Sequence, residues 1–337
     1  MTWAPKVLPA ALLALSLAAC SGGGETATTI TAPEPSETQA MEPVELTVGL
    51  TYIPNIQFAP FYVAAELGYF SDEGLAVTLR HHGASESLFG ALASGEEDVV
   101  NAGADEMLQA YAADVPVVTT GVMYQEYPVV LIVPEDSPIE SLADMEGQSI
   151  GLPGPYGENW FWLLAAIDEA GLAEEDVAIE FIGYTQQAAL MGGTVDGVVG
   201  FANNDVLNFG RSGVEVRSLT ADVPLVGISV GALEETVETR GEDLAALNRA
   251  LARAMEFILT DPAAAVDASF DYIPELTGAG AYEATLETLE ATMALYGDTP
   301  LAVEAELWPT MYEFMVSRGL AEPGTDPSRA VTTALVP

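Results

Sequence analysis

The fold is decided by residues 45–80, which read ELTVGLTYIPNIQFAPFYVAAELGYFSDEGLAVTLR. The runs 45–50 and 76–80 have the length and the branched apolar residues of β-strands. Between them, residues 59–68 predict a helix, with proline in its first turn and glycine at its end. A strand, a helix and a second strand in this order are typical of an α/β domain whose sheet is largely parallel.

The same alternation continues along the chain. Strands and helices alternate within 98–133 and again within 149–230, and helices alone are predicted from residue 242 onward. We therefore expect two α/β lobes, with chain crossings near 129–140 and 220–230. In this interpretation the first lobe covers 44–135, the second lobe covers 136–224, and residues 225–337 complete the first lobe and form the C-terminal helices.

A different pattern precedes these lobes. Lys6, an apolar run too short to span a bilayer, and Leu-Ala-Ala-Cys at 17–20 have the three parts of an export signal. The ending resembles the lipobox of bacterial lipoproteins, in which the cysteine, here Cys20, receives a diacylglyceryl group. We predict a signal peptide at 1–19, and at 20–43 a lipidated cysteine with a flexible tether that lacks aromatic residues. The alternative is an ordinary signal followed by a solitary structural cysteine.

These features predict a protein held by lipid on the extracytoplasmic face of the cell membrane.

Its formal net charge of −42 arises from 51 acidic residues against nine basic ones. Such a surface repels nucleic acid and anionic lipid head groups, so we expect no nucleic-acid partner. The single cysteine excludes an internal disulfide and a thiolate metal site.

The sequence offers little for enzyme chemistry. The two histidines, His81 and His82, are adjacent after a strand, and neighbours on an extended segment point to opposite sides. At most one of them therefore faces a given cleft, and a loop or surface role is the alternative. Zincin, Walker and nucleophile-elbow motifs are absent from the sequence. We predict a protein that is not an enzyme and has no cofactor and no metal site.

Three strand-to-helix loops carry more aromatic and polar groups than a turn requires. They cover 52–62, 103–106 and 151–160, and residues 201–205 repeat the theme in the second lobe. Ligands of α/β proteins bind at the carboxyl ends of parallel strands, where these loops lie. The predicted ligand-binding residues are Asn55, Gln57, Phe58, Tyr62, Glu106, Tyr124, Tyr156, Glu158, Asn159, Trp160 and Asn203.

Ordinary local roles are the alternative for several of these side chains. In that interpretation Asn55 is a turn residue, Glu158 or Asn159 caps a helix, and Trp160 belongs to the core.

The composition of the loops also indicates a ligand class. Aromatic faces stack on flat rings, and amides and carboxylates pair with ring nitrogens and exocyclic groups. The first three loops contain no Lys or Arg. This argues against a sulfonate, sulfate or phosphate, although backbone N–H groups at a helix end could hold an anion alone. A neutral or weakly cationic heterocycle is the predicted ligand.

The loops also carry a resemblance. Residues 52–64 (YIPNIQFAPFYVA), 68–70 (GYF), 73–75 (EGL) and 153–157 (PGPYG) resemble the thiamine-pyrimidine and riboflavin branch of periplasmic binding proteins, over roughly 45–320. The GYF and EGL elements are shared with alkanesulfonate- and nitrate-type binders. The other two are most similar to riboflavin-importer binding lipoproteins, and next to formylaminopyrimidine-binding ones.

The resemblance implies a two-lobe type II binding fold with the ligand in the cleft, and an ABC permease and ATPase as partners. We expect the protein to be a monomer. The same superfamily includes a thiamine-pyrimidine synthase that holds pyridoxal phosphate on a lysine. This chain departs from that pattern, because Lys6 is its only lysine and leaves with the signal peptide. The choice between riboflavin and pyrimidine stays open, as do a sulfonate- or nitrate-type binder and a lipid-displayed adhesin.

Overall fold

The computed structural model describes residues 42–83, 87–278 and 280–337. The predicted signal peptide, the lipidated Cys20 and nearly all of the tether lie outside the described residues. From residue 42 onward the described chain belongs to one compact unit. Within these ranges, none of the helices has the length and apolar character of a membrane-spanning segment.

In the described part of the chain, ten strands form two five-stranded sheets. The strands are β1 (Val44–Leu50), β2 (Leu75–His81), β3 (Val99–Gly103), β4 (Val117–Val122), β5 (Val129–Pro134), β6 (Ser149–Leu152), β7 (Ala178–Phe181), β8 (Gly197–Phe201), β9 (Val216–Leu219) and β10 (Ile228–Leu233). The helices are α1 (Ala59–Glu66), α2 (Tyr69–Asp72), α3 (Leu88–Ser94), α4 (Ala104–Ala112), α5 (Gly157–Glu169), α6 (Gln186–Met191), α7 (Asp205–Arg211), α8 (Glu234–Thr239), α9 (Gly241–Thr260), α10 (Pro262–Ala268), α11 (Ala281–Met293) and α12 (Leu307–Ser317).

The two sheets share one plan. The first has the order β2-β1-β3-β10-β4, in which β1 runs parallel to β2 and β3, and β10 is antiparallel to β3 and β4. The second has the order β7-β6-β8-β5-β9, in which β6 runs parallel to β7 and β8, and β5 is antiparallel to β8 and β9. In each sheet the antiparallel strand is the one that directly follows a chain crossing.

The crossings lie at 123–128 and 220–227, between β4 and β5 and between β9 and β10. They run side by side, because the backbone N–H groups of Met123 and Tyr124 donate to the carbonyl of Ile228 at 2.9 and 3.0 Å. The second crossing lies within the predicted range. The first lies earlier than 129–140, and β5 therefore belongs to the second sheet rather than to the first lobe. Its continuous apolar run lacks the alternation that would assign it to either sheet.

Each lobe has its own hydrophobic core. In the first lobe, α1 and α9 pack together, and the helices from α8 to α11 contribute to the same cluster. In the second lobe, every residue of α5 from Phe161 to Ile167 is buried, as expected of a helix that is apolar on all sides. Helix α12 inserts Trp308 and Met311 into this second cluster. The same cluster contains Ala104 and Leu108 of α4 and Val122 of β4, so α12 packs where the two lobes meet.

Candidate functional site

A cavity of about 380 Å³ lies between the two lobes. It is lined by the turn after β1, by the first turns of α4 and α5, by the loop after β7 and by the start of α7. These are carboxyl ends of strands, where α/β folds bind ligands. Pockets for small organic ligands commonly measure about 300–1,000 Å³. The cavity therefore has the volume for one heterocyclic molecule.

Most of the predicted site residues come together here. The lining side chains from that set are Gln57, Phe58, Glu106, Tyr124, Tyr156, Glu158 and Asn159. Of the described residues that line the cavity, none is Lys or Arg. The aromatic rings and amides that the loops predicted are thus present together, without a basic partner for an anion.

Three carboxyl groups meet where α4 and α5 begin. Asp105 is fully buried, and its Oδ2 accepts the hydroxyl of Tyr127 at 2.6 Å. Burial, together with the nearby negative charge of Glu106, raises the pKa of Asp105 to about 8. Burial also raises the pKa of Glu106, and burial with the charges of Asp105 and Glu106 raises the pKa of Glu158 well above its ordinary value. Asp105 therefore keeps its proton at neutral pH, and Glu106 and Glu158 ionise less readily than exposed carboxyl groups do.

Four predicted residues do not line the cavity. Asn55 caps the short helix that follows it, its Oδ1 accepting the N–H of Gln57 at 3.0 Å. Trp160 packs beside the second-lobe core and meets the ring of Phe181 edge-on, with centroids 5.9 Å apart. The turn and core roles given above as alternatives hold for Asn55 and Trp160.

The other two lie behind the walls. Tyr62 is fully buried, stacks on Tyr272 with centroids 4.7 Å apart, and places its hydroxyl 3.0 Å from Nε2 of His81. Asn203 is also buried, and its Nδ2 donates to Oγ1 of Thr292 at 2.8 Å. Neither side chain lines the cavity, and both are packed in the structure around it.

Residues 55–265 match the family described as NMT1/THI5 like. This chain belongs to the NMT1/THI5-like family. It is 32% identical over 340 residues to the riboflavin-binding protein RibY of Chloroflexus aurantiacus, covering 97% of this chain and 96% of that protein. It is 29% identical over 266 residues to the formylaminopyrimidine-binding protein of Halalkalibacterium halodurans, covering 76% of each.

The same fold is found among solved structures of binding proteins. The periplasmic aliphatic sulphonate binding protein SsuA of Escherichia coli superposes with a TM-score of 0.69 at 17% identity, covering 86% of this chain and 92% of that one. The predicted α/β, two-lobe fold of the type II periplasmic binding proteins is therefore confirmed. The protein is a substrate-binding protein of the NMT1/THI5-like family and a homologue of a riboflavin-binding protein.

In this family member neither histidine lines the cavity. Nδ1 of His81 lies 2.9 Å from the carbonyl of Tyr52, and burial lowers the pKa of His81. His82 is buried beside Glu97, with Nε2 2.5 Å from its Oε1. His81 therefore supports the loop that carries Tyr52 from behind, while His82 belongs to a buried polar cluster.

Other lining residues were not among the predicted ones. They include Tyr52, Asn101, Tyr184, Gln186, Phe201, Asn204, Asp205 and Asn208. Tyr184 follows β7, so the rule of strand-end loops would have found it. Tyr52 and Tyr184 face each other from opposite lobes, with ring centroids 6.3 Å apart. Asn208 lies one turn into α7, and its orientation depends on how that helix is rotated, which the loop pattern does not give.

Proposed function

We propose that this protein is the extracytoplasmic binding lipoprotein of an ABC importer, and that it captures a flat nitrogen heterocycle, with riboflavin as the preferred candidate. The observation that carries the proposal is the interlobe cavity itself. It combines aromatic rings with amide and carboxyl groups, has a volume of about 380 Å³, and has no Lys or Arg among the described residues that line it.

The ligand class follows from the contacts that the cavity offers. Exposed rings from opposite lobes, Tyr52 and Tyr184, can cover the two faces of a flat molecule, and Tyr156 adds a third ring. Amides such as Gln57 and Asn159 can pair with the polar edge of the ring system. The 32% identity to a riboflavin-binding protein supports a flavin as the ligand. The 29% identity to a formylaminopyrimidine-binding protein makes a pyrimidine the second candidate ligand.

The mechanism we propose is hinge closure about the two crossings, 123–128 and 220–227. A ligand that touches both lobes binds the closed arrangement more tightly than the open one and shifts the population toward it. Closure is then the signal that a permease reads, and no chemical step is needed. A pyrimidine synthase of the lysine-dependent type does not fit this chain, because its only lysine is Lys6.

Membrane attachment through Cys20 completes the proposal. Acyl chains on this residue would tether the lobes by the Gly- and Ser-rich segment that follows it. Cys20→Ser should abolish partitioning of the exported protein into detergent. If the wild type also stays in the aqueous phase, the lipid-anchor part of the proposal is wrong.

The ligand is tested by calorimetry on the purified protein with riboflavin, thiamine, formylaminopyrimidine, hydroxymethylpyrimidine, taurine and nitrate. Binding should occur only among the heterocycles, and a flavin carried through purification would make the protein yellow. Tight binding of taurine or nitrate without any heterocycle would contradict the proposal. Recovery of a chemically altered ligand would instead indicate an enzyme.

A further inference from the structure

The beginnings of α4 and α5 converge on the cavity from opposite lobes. A helix N-terminus carries free backbone N–H groups and a partial positive charge, and it commonly holds an anion. Here each of these ends already carries a carboxyl group of the chain, Glu106 in the first turn of α4 and Glu158 in the first turn of α5. Oε2 of Glu106 accepts the N–H of Gly103, the residue before α4, at 3.4 Å.

Each of the two carboxyl groups also lies close to the helix start of the opposite lobe. A Cβ atom at Gly103 would stand 3.1 Å from Oε1 of Glu158, and a Cβ atom at Gly157 would stand 3.3 Å from Oε1 of Glu106. Each glutamate therefore lies against the start of the other lobe's helix. Any larger residue at these two glycines would push the opposite carboxyl group away.

One of these carboxyl oxygens lacks a partner. Glu158 is 8% exposed, and within the described residues its Oε1 has no hydrogen-bond partner. Oδ1 of the neighbouring Asn159 is likewise buried and without a partner there. Both are acceptor atoms of residues that line the cavity. A donor on a bound molecule can satisfy a buried acceptor of this kind.

We propose that Glu106 and Glu158 form a charge filter: they accept hydrogen bonds from N–H or O–H groups of the ligand and exclude ligands that would bring an anion to these helix ends. Sulfonates and phosphate esters belong to the excluded class. This inference rests on the proposed heterocycle-binding function and adds to it the charge of the accepted ligand. It assigns to both glutamates a role in specificity.

The test uses the wild type, Glu106→Gln, Glu158→Gln and the double variant. Glu180→Gln is the matched control, because Glu180 is exposed on β7 and does not line the cavity. Glutamine keeps the shape of the side chain and removes the ionisable carboxyl group. The probes are riboflavin, riboflavin 5′-phosphate and ethanesulfonate, titrated calorimetrically at pH 7.

We expect the wild type to bind riboflavin about 100-fold more tightly than its phosphate, and each cavity variant to reduce that ratio about tenfold or more. The control should keep the wild-type ratio. Equal affinity of the wild type for both flavins would overturn the inference, as would an unchanged ratio in both single variants.

The ethanesulfonate titration separates this inference from the proposed function. Binding of ethanesulfonate by the wild type overturns the charge filter whether or not a heterocycle binds. If no heterocycle binds to the wild type, the proposed function fails. The double variant then decides the filter alone: gained affinity for ethanesulfonate supports it, and no gain overturns it.

Discussion

The two walls of the cavity are built differently. On the first-lobe side, Tyr52 is exposed, but Phe58, Asn101 and Tyr124 are at most 5% exposed, so the core holds these three in place. On the second-lobe side, Tyr156 and Tyr184 are 53% and 57% exposed. A buried group keeps its position whether or not a ligand is bound, whereas an exposed ring gains burial only when something covers it.

The difference separates two tasks. The first wall, with its packed rings and internally bonded Asn101, can orient a ligand at little ordering cost. The second wall, with its exposed tyrosines, supplies apolar area that is buried on closure. Substitutions in the first wall should therefore reduce both stability and affinity, and substitutions in the second wall should reduce affinity alone.

The largest effect is expected in the first wall. Phe58→Ala removes a ring that is 5% exposed and packs edge-on against His81, with centroids 5.3 Å apart. Cavity formation in a packed core should lower the free energy of unfolding by about 3–5 kcal/mol, and riboflavin affinity should fall with it. Urea denaturation and calorimetry measure the two quantities.

The control for this variant is Phe270→Ala, because Phe270 is 49% exposed and does not line the cavity. It should change the unfolding free energy by no more than about 0.5 kcal/mol. If the two variants lose the same unfolding free energy, Phe58 is held no more rigidly than a residue on the surface.

The second prediction concerns the carboxyl group behind the first wall. The pKa of Asp105 is about 8 in the folded protein, above its ordinary value of 3.8. A pKa raised by folding means that the folded protein binds the extra proton between these values. Its contribution to stability is therefore fully present below about pH 4 and is lost as pH rises toward 8.

Asp105→Asn should remove this part of the pH dependence, since asparagine stays neutral and can still accept the Tyr127 hydroxyl. One proton corresponds to a slope of at most about 1.4 kcal/mol per pH unit. Urea denaturation of the ligand-free protein between pH 5 and pH 8.5 measures it. Parallel stability curves for wild type and variant would show that Asp105 does not take up a proton on folding.

The third prediction concerns the second wall. Tyr184→Ala removes an exposed ring, so the free energy of unfolding should change by no more than about 0.5 kcal/mol. Loss of one stacking partner should weaken riboflavin binding about tenfold. Quenching of flavin fluorescence gives the affinity. A large loss of stability in this variant would mean that the two walls do not differ in the way described here.

The smallest effect is expected at a contact between the lobes outside the cavity. Arg211, at the end of α7, donates to Oε2 of Glu287 at 3.0 Å and to Oγ1 of Thr288 at 2.9 Å, both on α11 of the first lobe. Arg211→Gln should favour the open arrangement and weaken binding a few-fold, about 0.5–1 kcal/mol for a partly exposed pair. Small-angle scattering should show less compaction on adding riboflavin.

Arg253→Gln is the matched control. Arg253 pairs with Asp72 at 2.7 Å within the first lobe, so its loss should leave closure unchanged. If both variants close like the wild type, the contact between α7 and α11 does not contribute to closure.

Periodicity predicted the fold because strands and helices alternate with clear turn signals. It could not assign β5, since the apolar run from Val129 to Val133 suits a buried strand in either sheet. In the candidate site, the strand-end rule brought Gln57 and Tyr156 to the cavity. It failed for Tyr62 and Trp160, because the rotation of a helix decides which of its aromatic residues face inward, and packing sets that rotation. Asn55 does not line the cavity, whereas Gln57 does, for a local reason. The side chain of Asn55 caps the short helix that contains Gln57.

The exchange of strands between the halves of the chain also sets an order of folding. The second sheet takes all its strands from 129–219, so that segment can complete its sheet alone. The first sheet cannot, because β10 separates β3 from β4, and Asn101 and Ser229 meet across 128 positions of sequence. Until β10 arrives, β3 and β4 each present an unpaired edge. We therefore expect the first sheet to form after the second, with the closure of a long loop as its slow step.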